Sequence, residues 1–359
     1  CRFKVTTMIK VLVVDDSPVV RDLLKHILTL ENEMVVIGEA KDGQEAVEFV
    51  ERNKPDVITM DINMPRLNGF DATRQIMQKN PVPIVIVTAS WDPSDLNKAW
   101  QAMEAGAVAA VEKPRYSTEE NYRNNSKNIV DTVRLMSQVK VVRRWATKQK
   151  ALSANIPSDK VENSISLPRY QIVAVGASTG GPPVIKELLE ALPATFLAPI
   201  VIVQHIARNF TAGLVEWLDR SSALKVRVAK NREKLEAGTV YVAPDGLQMK
   251  VDLYGHIILT DDPPENGLKP SVSYLFRSVA EIFGKKAVGI LLTGMGKDGA
   301  YELRTLKDKG AITIAQDKET SVIHGMPGEA IKIGGATHIA APDRIVGLLM
   351  RLIGAGANK

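Results

Sequence analysis

Short apolar runs without polar alternation recur along the whole chain, separated by segments of helical periodicity. In the first third they are Val11–Val14, Met34–Ile37, Val57–Met60, Ile84–Val87 and Ala107–Val111. Helical patterns such as Asp42–Arg52 and Asn97–Ala105 lie between them. A strand that is apolar on both faces must be covered on both faces, as parallel sheets with crossover helices are. The pattern predicts a doubly wound α/β domain over residues 8–120. It returns after Arg169, where "YQIVAVGAS", "APIVIVQH", "AVGILLTGMGKDGA" and "AITIAQD" read as buried strands, most of them running into loops. "GPPVIKELLEAL" reads as a helix with prolines in its first turn, where they cost least. A second doubly wound parallel-sheet domain is expected over 168–355. Within it, "GTVYVAPDGLQMKVD" followed by "HIILTDD" reads as an inserted hairpin with Asp245-Gly246 as its turn. A chain of 359 residues, 45% hydrophobic, is long enough for two such cores.

Residues 121–167 read as a helical connector followed by a flexible linker. Ile129, Val133, Met136, Val139 and Val142 recur at helical spacing. A helix over residues 121–146 would span roughly 35–40 Å. Its start is expected to complete the first domain's last helix. "TKQKALSANIPSDKVENSISLP", residues 147–168, has linker composition.

No apolar run reaches the ~20 residues of a membrane span, so no membrane insertion is expected. The single cysteine, Cys1, excludes a disulfide within the chain and fits a cytoplasmic location. Met8-Ile9-Lys10 opens the first strand and reads as the natural start, with residues 1–7 as an extension. The net charge of +5 invites a nucleic-acid reading. Much of the excess lies between strands and in 134–150, and no recognition-helix, zinc-finger or RNA-binding pattern accompanies it. No nucleic-acid partner is expected.

In doubly wound sheets, ligands sit beyond the carboxyl ends of the strands. Asp15 and Asp16 close the first strand, Asp61 the third; Thr88 follows the fourth and Lys113 the fifth. Three carboxylates in one cup repel unless a cation sits among them, and hard oxygen ligands favour Mg²⁺. A lysine beside them suits a phosphoryl oxygen. One of Asp15 and Asp16 can instead cap the helix that starts near Ser17-Pro18, but capping does not explain Asp, Thr and Lys at four strand ends. With "VDDS", "DINMP", "VTAS" and "EKP", residues 8–115 resemble the receiver domain of response regulators, a flavodoxin-like fold. The resemblance implies that Asp61 accepts a phosphoryl group from a histidine kinase. It implies that Asp15, Asp16, Asp61 and the backbone of Asn63 hold Mg²⁺, and that Thr88 and Lys113 sense the phosphate.

In the second domain, Ser178 and His205 end successive strands and Asp298 follows a later one. All three loops fall on one sheet edge. A serine hydroxyl needs a base to become a nucleophile; His205 supplies one, and Asp298 can orient it. Each has a plainer reading: Ser178 as a helix cap, His205 as a satisfied strand-end histidine, Asp298 as an N-cap before "GAYELRTL". His324, in "SVIHGMPGEA", is a rival base. A phosphate cradle fits less well, since "GASTGG" is neither G-x-G-x-x-G nor Walker A. No metal-ligating cluster stands out in this half, and no cofactor is expected there.

"VAVGASTGGP", "IVIVQH", "GTVYVAP", "GILLTGMGKDGA" and "SVIHGMP" resemble the catalytic domain of the chemotaxis protein-glutamate methylesterase (CheB) family, a Rossmann-like sheet. With the receiver in front, the likeness covers nearly the whole chain. It implies Ser178 as nucleophile, His205 as general base and acid, Asp298 as orienting acid, and the Met295 backbone N–H at the oxyanion. The implied reaction hydrolyses glutamate γ-methyl esters on chemoreceptor helices to glutamate and methanol. Deamidation of receptor glutamine at the same site is also implied. The sequence departs from the family pattern at Arg208 in "IARNFT", at Val228 in "VRVAKN", at Gln248 in "APDGLQ" where histidine is common, and in "KPSVSYLF". Those departures support a second reading, a receiver-controlled adaptor or an esterase for a receptor outside chemotaxis.

Overall fold

The computed structural model describes residues 8–30, 32–88, 100–114, 119–139, 141, 170–206 and 209–354. Two parallel sheets carry the chain. The first has strands β1 (Ile9–Val14), β2 (Met34–Ala40), β3 (Val57–Met60), β4 (Ile84–Thr88) and β5 (Ala109–Glu112) in the order β2-β1-β3-β4-β5. All neighbours are parallel. β3 and β4 are buried along their whole length, as runs without alternation require. The strand order reverses between β1 and β3, which opens a crevice beyond their carboxyl ends.

Helices α1 (Pro18–Thr29), α2 (Gly43–Arg52) and α3 (Gly69–Lys79) follow β1 to β3. Asp42 and Asn68 cap α2 and α3 by accepting from the backbone N–H groups of Glu45 and Asp71. The next helix, α4, is described over residues 100–105. The expected connector helix is α5, Glu119–Met136. Among the described residues its stripe packs on the first sheet. Ile129, Val130, Val133 and Met136, with Val139 beyond the helix, are buried in the core beneath β1, β4 and α1. The open face of the first sheet needs an apolar cover, and this stripe supplies it. The line drawn at 120/121 therefore runs through a helix of the first sheet's own packing. Val142 and the expected linker 147–168 lie outside the described residues.

The second sheet has seven parallel strands in the order β14-β13-β12-β6-β7-β9-β8. They are β6 (Ile172–Ala177), β7 (Ile200–Gln204), β8 (Lys225–Val228), β9 (Thr239–Val242), β12 (Ala287–Leu291), β13 (Ile312–Gln316) and β14 (His338–Ala340). The expected hairpin is only partly as read. Thr239–Val242 joins the main sheet beside β7, and Asp245-Gly246 links it to the true hairpin, β10 (Gln248–Val251) with β11 (Ile257–Thr260). Helices α6 (Gly181–Glu190), α7 (Thr211–Ser221), α8 (Val272–Ile282), α9 (Ala300–Asp308), α10 (Met326–Lys332) and α11 (Pro342–Leu352) cover the faces. This sheet's order reverses at β6, between β12 and β7.

The two halves meet in part through α4, and Val322 and Ile323 also pack against the core of the first. Trp100 stacks on Trp217 of α7 at 5.5 Å and meets Phe210 edge-on at 6.3 Å. Glu104 pairs with Lys186 of α6 at 3.1 Å, and the Lys186 ammonium lies 5.6 Å from the Trp217 ring centroid. Trp100 and Met103 share one continuous apolar cluster with Phe210 and Trp217.

Candidate active site and phosphoacceptor cup

At the crevice of the first sheet, Asp15, Asp16 and Asp61 each offer a carboxylate oxygen within 4.8 Å of the others. The Lys113 ammonium lies 2.6 Å from Asp15 Oδ2 and 2.9 Å from Asp61 Oδ1. Asp15 Oδ1 also accepts from the Ser17 N–H at 3.0 Å, so one acid shapes the turn into α1 while still facing the cup. Thr88 is buried at the end of β4, and its carbonyl accepts from the Lys113 N–H at 2.9 Å. Asn63 is exposed, two residues past Asp61. Burial pushes the Asp61 carboxyl up to about 6; Lys113 opposes the rise and Asp15 adds to it. Three hard carboxylates against one lysine leave excess negative charge, which fits a divalent cation such as Mg²⁺.

The second site starts from strand register. Ala177 and Gln204 are partners on β6 and β7, so Ser178 and His205 emerge side by side. The His205 N–H donates to the Ala177 carbonyl at 2.9 Å. His205 Nε2 lies 2.9 Å from Asp298 Oδ2, which leaves Nδ1 as the ring nitrogen for Ser178. Both residues line a cavity of about 350 Å³ with Thr179, Gln204 and, across from them, Trp100. The Ser178 hydroxyl makes no hydrogen bond within the described residues. Catalytic hydrogen bonds often tighten only when substrate is bound.

Asp298 does not cap its own helix. It sits on the first turn of α8, accepting from Ser271 Oγ (2.9 Å), the Val272 N–H (2.6 Å) and the Ser273 N–H (3.1 Å). Burial alone would raise its pKa, but His205, Ser273 and the Val272 N–H outweigh it and hold the carboxyl at about 2. Ser271 is held in turn: its N–H donates to Gln248 Oε1 at 2.9 Å. Gln248, one of the departures from the family pattern, is thus a buried support behind the acid. Ser271, Ser273 and Gln248 were not singled out from sequence as site residues. Their signals were the departures in "APDGLQ" and "KPSVSYLF" and a Ser-x-Ser helix-start pattern, all silent about what the helix receives.

His324 bonds the Ser321 hydroxyl at 3.2 Å rather than a carboxylate. Burial and the nearby Lys318 hold its pKa below the usual histidine value. Met295 is exposed on the β12–α9 loop, after Gly294, whose backbone packs against Ser178. An added Cβ at Gly294 would sit 2.7 Å from the Ser178 Cβ. Val228 ends β8 half-buried, and Arg208 lies outside the described residues.

Relatives are similar along the whole chain. Residues 173–349 match the CheB methylesterase family model, and residues 11–120 match the response regulator receiver domain. The protein-glutamate methylesterase/protein-glutamine glutaminase 1 of Syntrophus aciditrophicus is 50% identical over 350 residues, covering 98% of this chain and all of that one. The corresponding protein of Nitrosospira multiformis is 49% identical, covering 96% of this chain and 97% of its own. This chain belongs to the CheB methylesterase family. The solved CheB methylesterase catalytic domain of Thermotoga maritima is 37% identical with a TM-score of 0.49, covering 51% of this chain and 99% of that one. Among the described residues, no helix is long and apolar enough to cross a membrane.

The raised pKa of Asp61 has a sign. Below its ordinary value of 3.8 both folded and unfolded carboxyls are protonated. As pH climbs towards 6 the unfolded chain ionises first, so stability is lost, by about 2–3 kcal/mol at pH 7.5. Asp61→Asn removes that loss. In Mg²⁺-free buffer the variant is expected to resist urea better than wild type at pH 7.5, by about 1–3 kcal/mol. The two should converge near pH 4.

Proposed function

We propose that this protein is a phosphorylation-regulated protein-glutamate methylesterase that uses Ser178 as nucleophile, His205 as base and acid, and Asp298 as orienting acid. The observation that carries the reading is the 2.9 Å contact between His205 and a carboxylate bedded on a helix N-terminus, one strand end away from Ser178. Asp298 fixes the proton of His205 on Nε2, which leaves Nδ1 free to take the proton from Ser178 Oγ. Oγ attacks the γ-carbonyl carbon of a methylated glutamate. The tetrahedral intermediate expels methanol, with the proton returned from Nδ1. Water then repeats the sequence on the acyl-enzyme and releases glutamate. An amide substrate would release ammonia by the same path, the glutaminase activity in the relatives' names.

Two backbone donors suit the oxyanion. Within the turn before α6, the Gly181 N–H is committed to the Ser178 carbonyl at 2.8 Å, and Pro182 and Pro183 have none. The N–H groups of Thr179 and Gly180 remain, and both residues line the cavity; the Met295 N–H is the donor that the family resemblance adds. Removing one such donor typically costs about 10²–10³ in rate.

The receiver half is the regulator. Asp61 would take the phosphoryl group from a histidine kinase, with Asp15, Asp16, Asp61 and the Asn63 backbone holding Mg²⁺. When bound, the ion neutralises phosphoryl oxygens; Thr88 and Lys113 contact the modified carboxyl. Trp100 shares a cavity with Ser178 and His205, so the receiver stands in the way of a receptor helix. The substrate class is methylated receptor helices, reached from the cytoplasm.

Ser178→Ala is expected to lower methanol release from methylated receptor membranes by three orders of magnitude or more, about the loss typical of a removed nucleophile. A small phosphodonor with Mg²⁺ is expected to raise the wild-type rate and leave Asp61→Asn unchanged; equal wild-type rates with and without it would sink the gating. Trp100→Ala is expected to raise the rate measured without phosphodonor, because it removes the largest receiver side chain lining the cavity. A rate at or below wild type in a folded variant would mean that Trp100 does not restrict access.

A further inference from the structure

Gln204 is the last residue of β7 and is 4% exposed. Its side-chain amide nitrogen donates to two carbonyls, those of Ser178 and His205, each at 2.8 Å. An amide NH₂ carries two protons in a fixed planar fork. One rigid group therefore holds the backbone of both residues at once, across the gap between two strand ends. The orientation of the amide is dictated by these acceptors, since the terminal atom facing two carbonyls has to be nitrogen. Oε1 then points the other way, buried, and has no hydrogen-bond partner among the described residues. An unmade bond on a buried acceptor is unfavourable and rare. The two bonds on the nitrogen are what keep the group in place.

The chain also makes room for this arrangement. Gly181, the first residue of α6, stands against the amide: a Cβ there would lie 2.2 Å from Gln204 Oε1 and 2.8 Å from the Ala177 Cβ. The Gly181 N–H bonds the same Ser178 carbonyl that Gln204 holds. Ser178 is thus tied from two sides through its carbonyl while its hydroxyl stays unbonded. The backbone is fixed and the reactive atom is left free to rotate.

We propose that Gln204 is a positioning residue for the esterase reaction, its one amide group setting the spacing between Ser178 and His205 by holding both carbonyls. The proposal rests on the Ser178–His205 reading above. Gln204 touches no reacting atom; it acts through the two residues that do. A misplacement of about 1 Å between reacting groups can cost 10²-fold in rate, and this clamp is the contact that shares its donors between the two loops.

The test uses the full-length protein, methylated receptor membranes and a serine-reactive fluorophosphonate. Gln204→Met is expected to lower kcat and the rate of Ser178 labelling together, by about 10- to 100-fold, with KM changed less than about threefold. Gln204→Glu keeps the shape but turns acceptor oxygens on two carbonyls when ionised. When protonated it regains one donor, so its deficit relative to wild type should widen from pH 6 to 8.5, while that of Gln204→Met stays flat. A merely structural role would instead make the loss in each variant follow its folded fraction, measured by circular dichroism at the same pH. Gly181→Ala pushes on the amide at 2.2 Å and on the Ala177 Cβ at 2.8 Å while leaving both reacting side chains in place. It is expected to lower kcat, and to lower it less in a Gln204→Ala background, where the contact with the amide is gone and only that with the Ala177 Cβ remains. Wild-type kcat and labelling in folded Gln204→Met overturns the proposal. So does unchanged kcat in Gly181→Ala, which decides the matter if Gln204→Met does not fold. If the wild type itself is not labelled at Ser178, the esterase reading fails first and the clamp falls with it.

Discussion

A buried carboxylate is costly unless donors surround it, and that requirement organises the second domain. Asp298 is 5% exposed and receives four contacts: one hydroxyl, two backbone N–H groups and the His205 ring. The donors come from the start of α8 and from the loop after β7, while Asp298 itself follows β12. Three distant stretches of chain are tied by one charge. The helix dipole adds to the hydrogen bonds, since α8 points its positive end at the acid. Gln248 and Ser271 extend the support one layer further, so the imidazole of His205 inherits its direction from residues that never approach a substrate.

The two buried acids of this chain make a useful contrast. Asp61 and Asp298 have the same fractional exposure, 5%. One titrates near 6 and the other near 2. Burial raises both. The difference lies in what else each receives. Asp61 has a lysine but also a neighbouring carboxylate, and few hydrogen-bond donors. Asp298 has donors on both oxygens and no like charge beside it. An acid held ionised orients a histidine steadily across physiological pH. An acid left short of donors is receptive to a cation or a phosphoryl group. Environment separates the roles of two chemically identical side chains.

Much of this was legible in the chain. Strands such as Ile84–Thr88 and Ile200–Gln204 are apolar throughout and buried throughout, so composition alone predicts a doubly covered sheet. The sheet edge then collects the strand-end residues, and Ser178, His205, Asp61 and Lys113 follow. What was illegible is tertiary. The α5 stripe has the right period for a helix, but nothing local says which surface it covers; it covers the receiver core. Thr239–Val242 alternates little and can pair either way; a place beside β7 buries all four residues, which a free hairpin does not. Gln204 reads as one more strand residue, because its two acceptors only converge once β6 and β7 are in register.

Two of the contacts between the halves are individually modest. An aromatic pair such as Trp100–Trp217 contributes about 0.5–1.5 kcal/mol beyond its area, and an ion pair such as Glu104–Lys186 adds at most about 1 kcal/mol. Each 1.4 kcal/mol is a tenfold change in an equilibrium, about what one modest charge change can supply. α4, which carries Trp100, is bracketed by the two residues that face the cup: β4 before it ends in Thr88, and β5 after it leads to Lys113. A phosphoryl group on Asp61 adds roughly −1.5 to −2 charges at that point. Thr88 and Lys113 thus flank in sequence the helix whose Trp100 lines the cavity. The proposed gating therefore needs no long relay, because Thr88, Trp100 and Lys113 belong to one strand-helix-strand unit.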